Sequence, residues 1–558
     1  MNDERLASRS AIAAAVVAAA MAALDAGQPP TFRSAINLVE VDALAVDRSG
    51  EVVSDLRQDE FEVLEDGRPQ KIASFQFVNI PLPSAGERPA ARHAGDDVYA
   101  NDDRALGRLL VLVLDDLHIA PFRAEAVRGL AKRFIDRMGA NDLMAIVSTS
   151  GDRKASQEFT KDRAALESAV GRFTPSKDAV NENNPDASHG FAAQKSVSML
   201  KTLGDVAGHL SGVQHRRKTV LFVSEGVDLE LMPGMDDPRD VAANALSSST
   251  SRDAAKGSGT DEDFGFLART ALESLLRAAE RGNVAIYPLD PRALEEGLPV
   301  VANDFLRTIA ANTGGQAVVA TNQMTAGLDR IIRESSSYYL IGYESPSGGD
   351  GRFHRLTVRV RRPDVDVRAR QGFVAPDAKK LAKSKPVTPL DESLSAPAQN
   401  PGFAIRGVAA PFPSPTHHGA VVAVAAEISG DVLARAAGTP SLELAVLAVD
   451  SNGKGRAIDR EQLKFPGFRP SAGESWIRIV SRLDVKDAGH YQIRLVAQPG
   501  GLETAGSVFY DVDVPDFDGT PLTMSGIVVG PPNRGGGSAR IARMREIAAV
   551  IPVATRSF

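Results

Sequence analysis

The chain of 558 residues is 43% hydrophobic and 24% charged, ordinary for folded protein, and its length leaves room for about two to four domains. A formal net charge of -7 provides no basic face for nucleic acid. The sequence has no cysteine, which excludes disulfides, thiolate metal sites and cysteine nucleophiles together.

Arg5 and Arg9 precede an alanine- and valine-rich run from Ala11 to Leu24, with Pro29 and Pro30 beyond it. That layout predicts a secretory signal over residues 1–27 and a secreted or periplasmic protein. The run is too short and too rich in alanine for a stable spanning helix, and no later stretch has the length to span a bilayer. Without a cysteine after the run, a bacterial lipoprotein anchor is excluded.

Residues 32–80 alternate apolar and polar side chains around turns at Asp47–Gly50 and Glu65-Asp66-Gly67, which predicts a small unit of β-hairpins. The acidic residues of these turns are accounted for by turn chemistry. Residues 81–104, rich in Pro, Gly, Ala and charge, read as a linker.

From 105 to 345 the pattern changes. "RLLVLVLDD", "DLMAIVSTS", "KTVLFVSEG", "NVAIYPLD" and "QAVVA" read as strands, separated by stretches of helical spacing such as "RAEAVRGLAKRFIDRMG" and "FLARTALESLLRAAERG". Strands alternating with helices predict an α/β fold: a doubly wound, mainly parallel sheet with helices on both faces. An insertion between Val227 and Asp263 is predicted to be a loop over one rim.

Residues 346–376 turn antiparallel and carry Arg355, Arg359, Arg361, Arg368 and Arg370, expected on the solvated face of an edge hairpin. A second linker is expected over 377–401. Short alternating strands over 402–516 predict an immunoglobulin-like β-sandwich. Within it, Asp487 to Tyr491 resembles a tyrosine corner, in which the Tyr491 hydroxyl would bond backbone upstream; Ile493 stands where a cysteine would follow. The tail, 517–558, holds a glycine run and an amphipathic stretch that leaves association with an envelope or membrane surface open.

The segment "LRTIAANTGGQAVVATNQMTAGLDRIIRESSSYYLIGYES" resembles the closing part of a von Willebrand factor type A domain. With "DEFEVLEDGRPQKI", "LVLVLDDLHIAP" and "DGRFHRLTVRVRRPDVDVRARQGFV", the chain from Asn37 to Phe373 resembles the exported VWFA-related proteins abundant in acidobacteria. The resemblance implies a doubly wound sheet and a binding role. Type A domains often hold Mg²⁺ at the C-terminal rim of the sheet, through a first loop reading Asp-x-Ser-x-Ser. Here the matching positions are Asp115, Leu117 and Ile119, so both hydroxyl ligands are replaced by apolar side chains. The threonine loop would fall near Thr174 or Ser176, and Ser224-Glu225-Gly226 places a glutamate where an aspartate is usual.

Asp115, Asp116, His118 and Glu225 are therefore the candidate metal ligands; Asp116, His118 and Glu225 would suit Zn²⁺ or Mn²⁺ better than Mg²⁺. Strand-end aspartates also bond loop amides without any metal. Ser148, Thr149, Thr174 and Ser224 are the candidate rim for a partner. No Gly-x-Ser-x-Gly elbow or His-Glu-x-x-His helix is present, and "GVQHRRKT" has Arg217 where a phosphate loop needs glycine. His417-His418 reads as a solvated pair. The reading is an exported, non-catalytic binding or scaffold protein with a degenerate metal-ion-dependent adhesion site, no resident cofactor and a protein partner. The alternative is a divalent-metal-dependent adhesion module or hydrolase built on the same rim, with Mg²⁺ or another divalent cation.

Overall fold

The computed structural model describes residues 38–80, 99–101, 107–139, 141–177, 185–211, 213, 217–227, 260–292, 300–347, 349–375, 377, 387–396, 398–415, 418–435, 440–450, 453–466, 476–519 and 525. The expected leader, most of the first linker and of the insertion after Val227, His417 and nearly all of the tail lie outside the described residues.

Four strands come first: β1 (Leu38–Asp47), β2 (Phe61–Glu65), β3 (Arg68–Gln70) and β4 (Ile72–Asn79), then a short β5 (Tyr99–Ala100). The α/β series follows as β6 (Leu109–Leu114), α1 (Ala124–Asp136), β7 (Leu143–Ser148), β8 (Gln157–Thr160), α2 (Arg163–Gly171), α3 (Pro185–Leu210), β9 (Lys218–Val223), α4 (Thr260–Gly282), β10 (Val284–Leu289), α5 (Val300–Asn312) and α6 (Met324–Ser336). Next are β11 (Ser337–Glu344), β12 (Phe353–Val360), β13 (Val365–Arg368), β14 (Gly372–Val374) and α7 (Pro389–Ser395). The last region contains β15 (Ile405–Pro413), β16 (Ala420–Ser429), β17 (Ser441–Asp450), β18 (Gly455–Lys464), β19 (Trp476–Val485), β20 (Gly489–Pro499) and β21 (Gly506–Val514).

The α/β series forms a sheet of order β10-β9-β6-β7-β8, parallel except for the antiparallel edge strand β8. Every residue of β6 is buried, because helices cover both faces. Leu109, Val111 and Val113 face a core that includes Leu200, Leu203, Leu272, Leu275 and Phe305 from α3, α4 and α5. Leu110, Leu112 and Leu114 face Val127, Phe134, Leu166 and Ile331 from α1, α2 and α6. The domain is thus an α/β sheet, mainly parallel, covered by helices on both faces. The expected strand "QAVVA" is reduced to a single parallel bridge, Val318 to Leu289. Gly315 packs directly on the Ile286 carbonyl before it, and Ala320 has a positive φ of 50° after it, so the chain touches the sheet and turns away.

The expected separate units at 32–80 and 346–376 are one domain. β1 pairs with β11 and β13, β4 pairs with β11, and β2 pairs with β12, giving two four-stranded sheets, β13-β1-β11-β4 and β14-β12-β2-β3. Val41, Ala43, Phe61, Val63, Tyr339, Ile341 and Leu356 fill the space between them. The α/β domain is inserted between the two halves, and the boundary expected at 345 falls after β11, a strand of this composite domain. Both expected linkers also contain structure. β5, within 81–104, pairs with β15 of the C-terminal region, and α7, within 377–401, buries Leu390 and Leu394 against Ala445 and Val496.

Two of the five arginines expected on a solvated face point inward instead. Arg370 donates from Nη1 to the Glu280 carbonyl and from Nη2 to the Glu40 carbonyl, both at 2.6 Å. Arg368 Nη1 donates to Glu334 Oε1 at 2.9 Å and Gln316 Oε1 at 2.6 Å. These residues join the composite domain to the lower end of the parallel sheet, whereas Arg355, Arg359 and Arg361 are exposed.

At this junction Glu280 is 1% exposed, and neither carboxylate oxygen finds a hydrogen-bond partner among the described residues. Burial, only partly offset by Arg370, lifts its pKa from 4.5 to about 8. The folded chain therefore keeps a proton that the unfolded chain releases, and stability falls as pH rises between those two values. Lys218, pulled down by burial to about 8, acts only above that window. Glu280→Gln is expected to match the wild type in stability below pH 4.5, then to gain progressively up to about pH 8. Denaturant melts at the two ends of the window test this; an equal difference at both ends contradicts it.

The C-terminal region is a sandwich of two sheets, β19-β16-β15-β5 and β18-β17-β20-β21, around Val422, Val424, Leu444, Val446, Ile493 and Leu495. The Tyr491 hydroxyl donates to the Asp487 carbonyl at 2.8 Å, the tyrosine-corner bond expected from the sequence. Ile493 fills the cysteine position with a buried side chain. Gln492 Nε2 donates to the Phe159 carbonyl at 3.0 Å and Thr160 Oγ1 to Asp511 Oδ2 at 3.0 Å, fastening the sandwich to the edge strand β8.

Candidate binding rim

β6 is apolar along its whole length because both faces are covered, so the first polar side chains appear where the ladder ends. Asp115 still donates its backbone N–H to the Val223 carbonyl at 3.0 Å, but its side chain, 0% exposed, enters a polar cluster. His118 Nδ1 lies 3.0 Å from both carboxylate oxygens. Thr149 Oγ1 donates to Oδ1 at 2.8 Å and Ser224 Oγ to Oδ2 at 2.6 Å. Burial alone would raise this carboxyl; the His118 imidazole and the two hydroxyls outweigh it and hold the pKa below the ordinary 3.8.

Asp116 turns to the neighbouring loop. Its Oδ1 accepts from Ser150 N at 2.8 Å and lies 3.0 Å from Thr149 Oγ1, whose one proton is shared with Asp115, and its Oδ2 accepts from the Ser150 hydroxyl. Its backbone carbonyl accepts from Ser176 N at 2.7 Å and Ser176 Oγ at 3.0 Å. Glu225 is also buried, but it faces cations. Oε1 accepts from Ala120 N at 2.9 Å and Arg123 Nε at 3.1 Å, and Oε2 accepts from Lys177 Nζ at 2.8 Å. Glu225 therefore ties the loop after β6 to the loop after α2, and is not turned to Asp115.

Asp115 and His118 pair directly, Asp116 meets Asp115 only through the shared Thr149 hydroxyl, and Glu225 serves a different pair of loops, so the four expected ligands do not form one group among the described residues. Leu117 and Ile119 bring no hydroxyl here; Thr149, Ser150 and Ser224 donate theirs to the aspartates, and Ile119 is buried in the core with residues of α1. Among the residues expected to meet a partner, Ser148, Thr149 and Ser224 are buried and so closed to one. The Ser148 hydroxyl finds no hydrogen-bond partner among the described residues. Thr174 is exposed, its hydroxyl reaching only the Arg172 carbonyl at 3.3 Å; Ser176, two residues on, makes the rim contact.

The surface above this cluster holds residues that sequence reasoning missed. Phe122 is 79% exposed, with the Arg123 guanidinium 4.6 Å from its ring centroid. A signal for it existed in "HIAPFR", where a large apolar residue follows proline in a short loop. Ser196 of α3 was also missed; its Oγ lies 3.1 Å from His118 Nε2. No local pattern marks it, because its place depends on how α3 lies across the sheet. Asp115, His118 and Ser196 repeat the order of a hydrolytic relay. However, Ser196 is buried inside a helix whose amides are spent on the helix itself, so α3 offers no oxyanion donors.

No protein-family model matches the chain, and no curated protein matches it. Among solved structures, the von Willebrand factor domain of the type V pili tip protein Mfa5 from Porphyromonas gingivalis is 15% identical, with 41% of this chain and 95% of that chain covered and a TM-score of 0.25. The three N-terminal domains of the same protein are 11% identical over 79% of this chain and 96% of that one, with a TM-score of 0.25. The pilus adhesin SpaC from Lactobacillus rhamnosus GG is 9% identical over 78% and 72%, with a TM-score of 0.26.

Proposed function

We propose that the chain is an exported, non-catalytic binding or scaffold protein. Its type A-like domain meets a protein partner through the loop carrying Phe122, and its adhesion-type metal position is degenerate. The observation that carries this reading is Phe122, a solvent-exposed aromatic whose loop is pinned through Ala120 and Arg123 to Glu225, which also holds Lys177 of the loop after α2. An aromatic held on a rigid base loses little conformational entropy when a partner's apolar pocket closes on it, the usual character of an interface anchor. Below it, Asp115 spends both oxygens on His118, Thr149 and Ser224, which supports binding without a cation. Export rests on the leader-like pattern of Arg5 and Arg9 before the alanine-rich run from Ala11 to Leu24.

Phe122→Ala is expected to weaken retention of the partner from an envelope extract by at least about 2 kcal/mol, roughly 25-fold. Its melting point should stay unchanged, because the side chain is exposed. Retention should be the same in Mg²⁺ and in chelator. Equal retention by the variant, or no partner retained in either buffer, overturns the proposal; retention that requires Mg²⁺ would favour a metal-dependent adhesion module.

A further inference from the structure

We propose that Glu65, Asp66 and His354 form a site for a divalent transition cation of the Zn²⁺ class, closing the composite β domain at the end where its two chain segments meet. Glu65 ends β2, and Asp66 and Gly67 form the hairpin turn with φ of 49° and 79°. β12 pairs with β2 in a register that sets Leu356 opposite Glu65, and Asp66 N donates to the Arg355 carbonyl at 2.9 Å. This brings His354 beside the turn, and the three side chains each offer a ligand atom within 4.8 Å of the others.

The spacing suits a small cation. His354 Nδ1 is 2.8 Å from Asp66 Oδ2 and 3.9 Å from Glu65 Oε1. Tetrahedral ligation with bonds of about 2.1 Å needs ligand–ligand edges of about 3.4 Å, which lies between those two distances. One imidazole nitrogen with two carboxylates suits Zn²⁺ or Mn²⁺ better than Mg²⁺ or Ca²⁺.

Two further features point to a ligand independently of the spacing. The first is unmet bonding. The Glu65 side chain is 1% exposed, and its Oε2 finds no hydrogen-bond partner among the described residues; the Ser345 and Ser347 hydroxyls, at 2.9 and 2.6 Å, reach only Oε1. The Tyr343 hydroxyl lies buried beside this carboxylate, and burial together with the Glu65 charge pushes its pKa up. Buried oxygens of this kind are costly unless water or an ion satisfies them. The second is the far side of the ring. His354 Nε2 lies 3.2 Å from Asp350 Oδ1, the outer carboxylate that orients a metal-ligating histidine, and the Phe373 ring packs 5.4 Å away. Neither feature belongs to the rim of the α/β domain.

His354 and Asp66 are 288 positions apart in the chain, so the cation would clasp the segment before the α/β domain to the segment after it. The test uses the full chain stripped with chelator and titrated with Zn²⁺ by calorimetry, and with Co²⁺ by visible absorption. The expected result is one-to-one binding, Co²⁺ bands of low-coordinate N/O ligation and a higher melting point with Zn²⁺. Glu65→Gln keeps the shape of the side chain and removes a buried charge, so it should fold at least as well without metal. It and His354→Gln should weaken binding by more than the roughly 10–100-fold that loss of an outer-shell partner costs. No binding by the wild type, or a response that both variants retain, overturns the proposal.

Discussion

Asp142→Ala is expected to destabilise the α/β domain by about 3–5 kcal/mol, a large share of the roughly 5–15 kcal/mol that holds a domain together. Asp142 precedes β7 and is fully buried, as is Arg108 at 1% exposed. Its Oδ1 accepts from Arg108 N at 2.7 Å; its Oδ2 accepts from Arg108 Nε at 3.0 Å, from Arg108 Nη2 and from Gly139 N at 2.7 Å. Arg108 also donates to the Ser336 hydroxyl at 3.0 Å and the Arg137 carbonyl at 2.9 Å. One ion pair thus ties the starts of β6 and β7 to the ends of α1 and α6. Removing the carboxylate leaves a guanidinium buried with no counter-charge, which costs more than the pair contributes. Arg108→Met combined with Asp142→Ala should therefore be less destabilised than the single alanine variant, because the uncompensated charge is gone. Denaturant melts of the three proteins decide this; if the single variant matches the wild type, the pair does not hold these elements together.

The α/β domain was legible in the sequence because a strand covered on both faces needs an unbroken apolar run, and "RLLVLVL" has one. The helices showed by their spacing for the same local reason. The composite β domain was not legible as one unit. Its pairs join strands on either side of the whole α/β series, and no short-range pattern says that β1 should find β11 instead of another hairpin. Arg370 misled because alternation shows which residues share a face, not what that face meets. At the rim, Asp115, Asp116 and His118 stood out as polar residues ending a buried strand. Thr149 and Ser224 had been expected to meet a partner and Ser176 to stand near the threonine loop, but their bonds to the aspartates did not show, and Ser196 was missed, since these residues arrive from four other segments. Glu225 was rightly placed at the rim but its two cations were not foreseen, because Arg123 and Lys177 converge on it from separate loops.

Asp115→Ala is expected to cost about 3 kcal/mol or more, since it strands the donors of His118, Thr149 and Ser224 in a buried site. The effect should depend on pH with a definite sign. The folded carboxyl lies below its ordinary value of 3.8, so the unfolded chain takes up protons first as acid is added. The stabilisation is therefore complete well above 3.8 and is lost as pH falls through the folded value. The gap between wild type and variant should narrow as the pH falls into the acid range. Melts across that range, with Mg²⁺ and with chelator, separate two origins of the effect. A gap equal in both buffers means that the imidazole and hydroxyls alone hold Asp115, as the rim geometry requires. A gap that opens only with Mg²⁺ would instead make Asp115 a metal ligand and return the rim to metal-dependent adhesion.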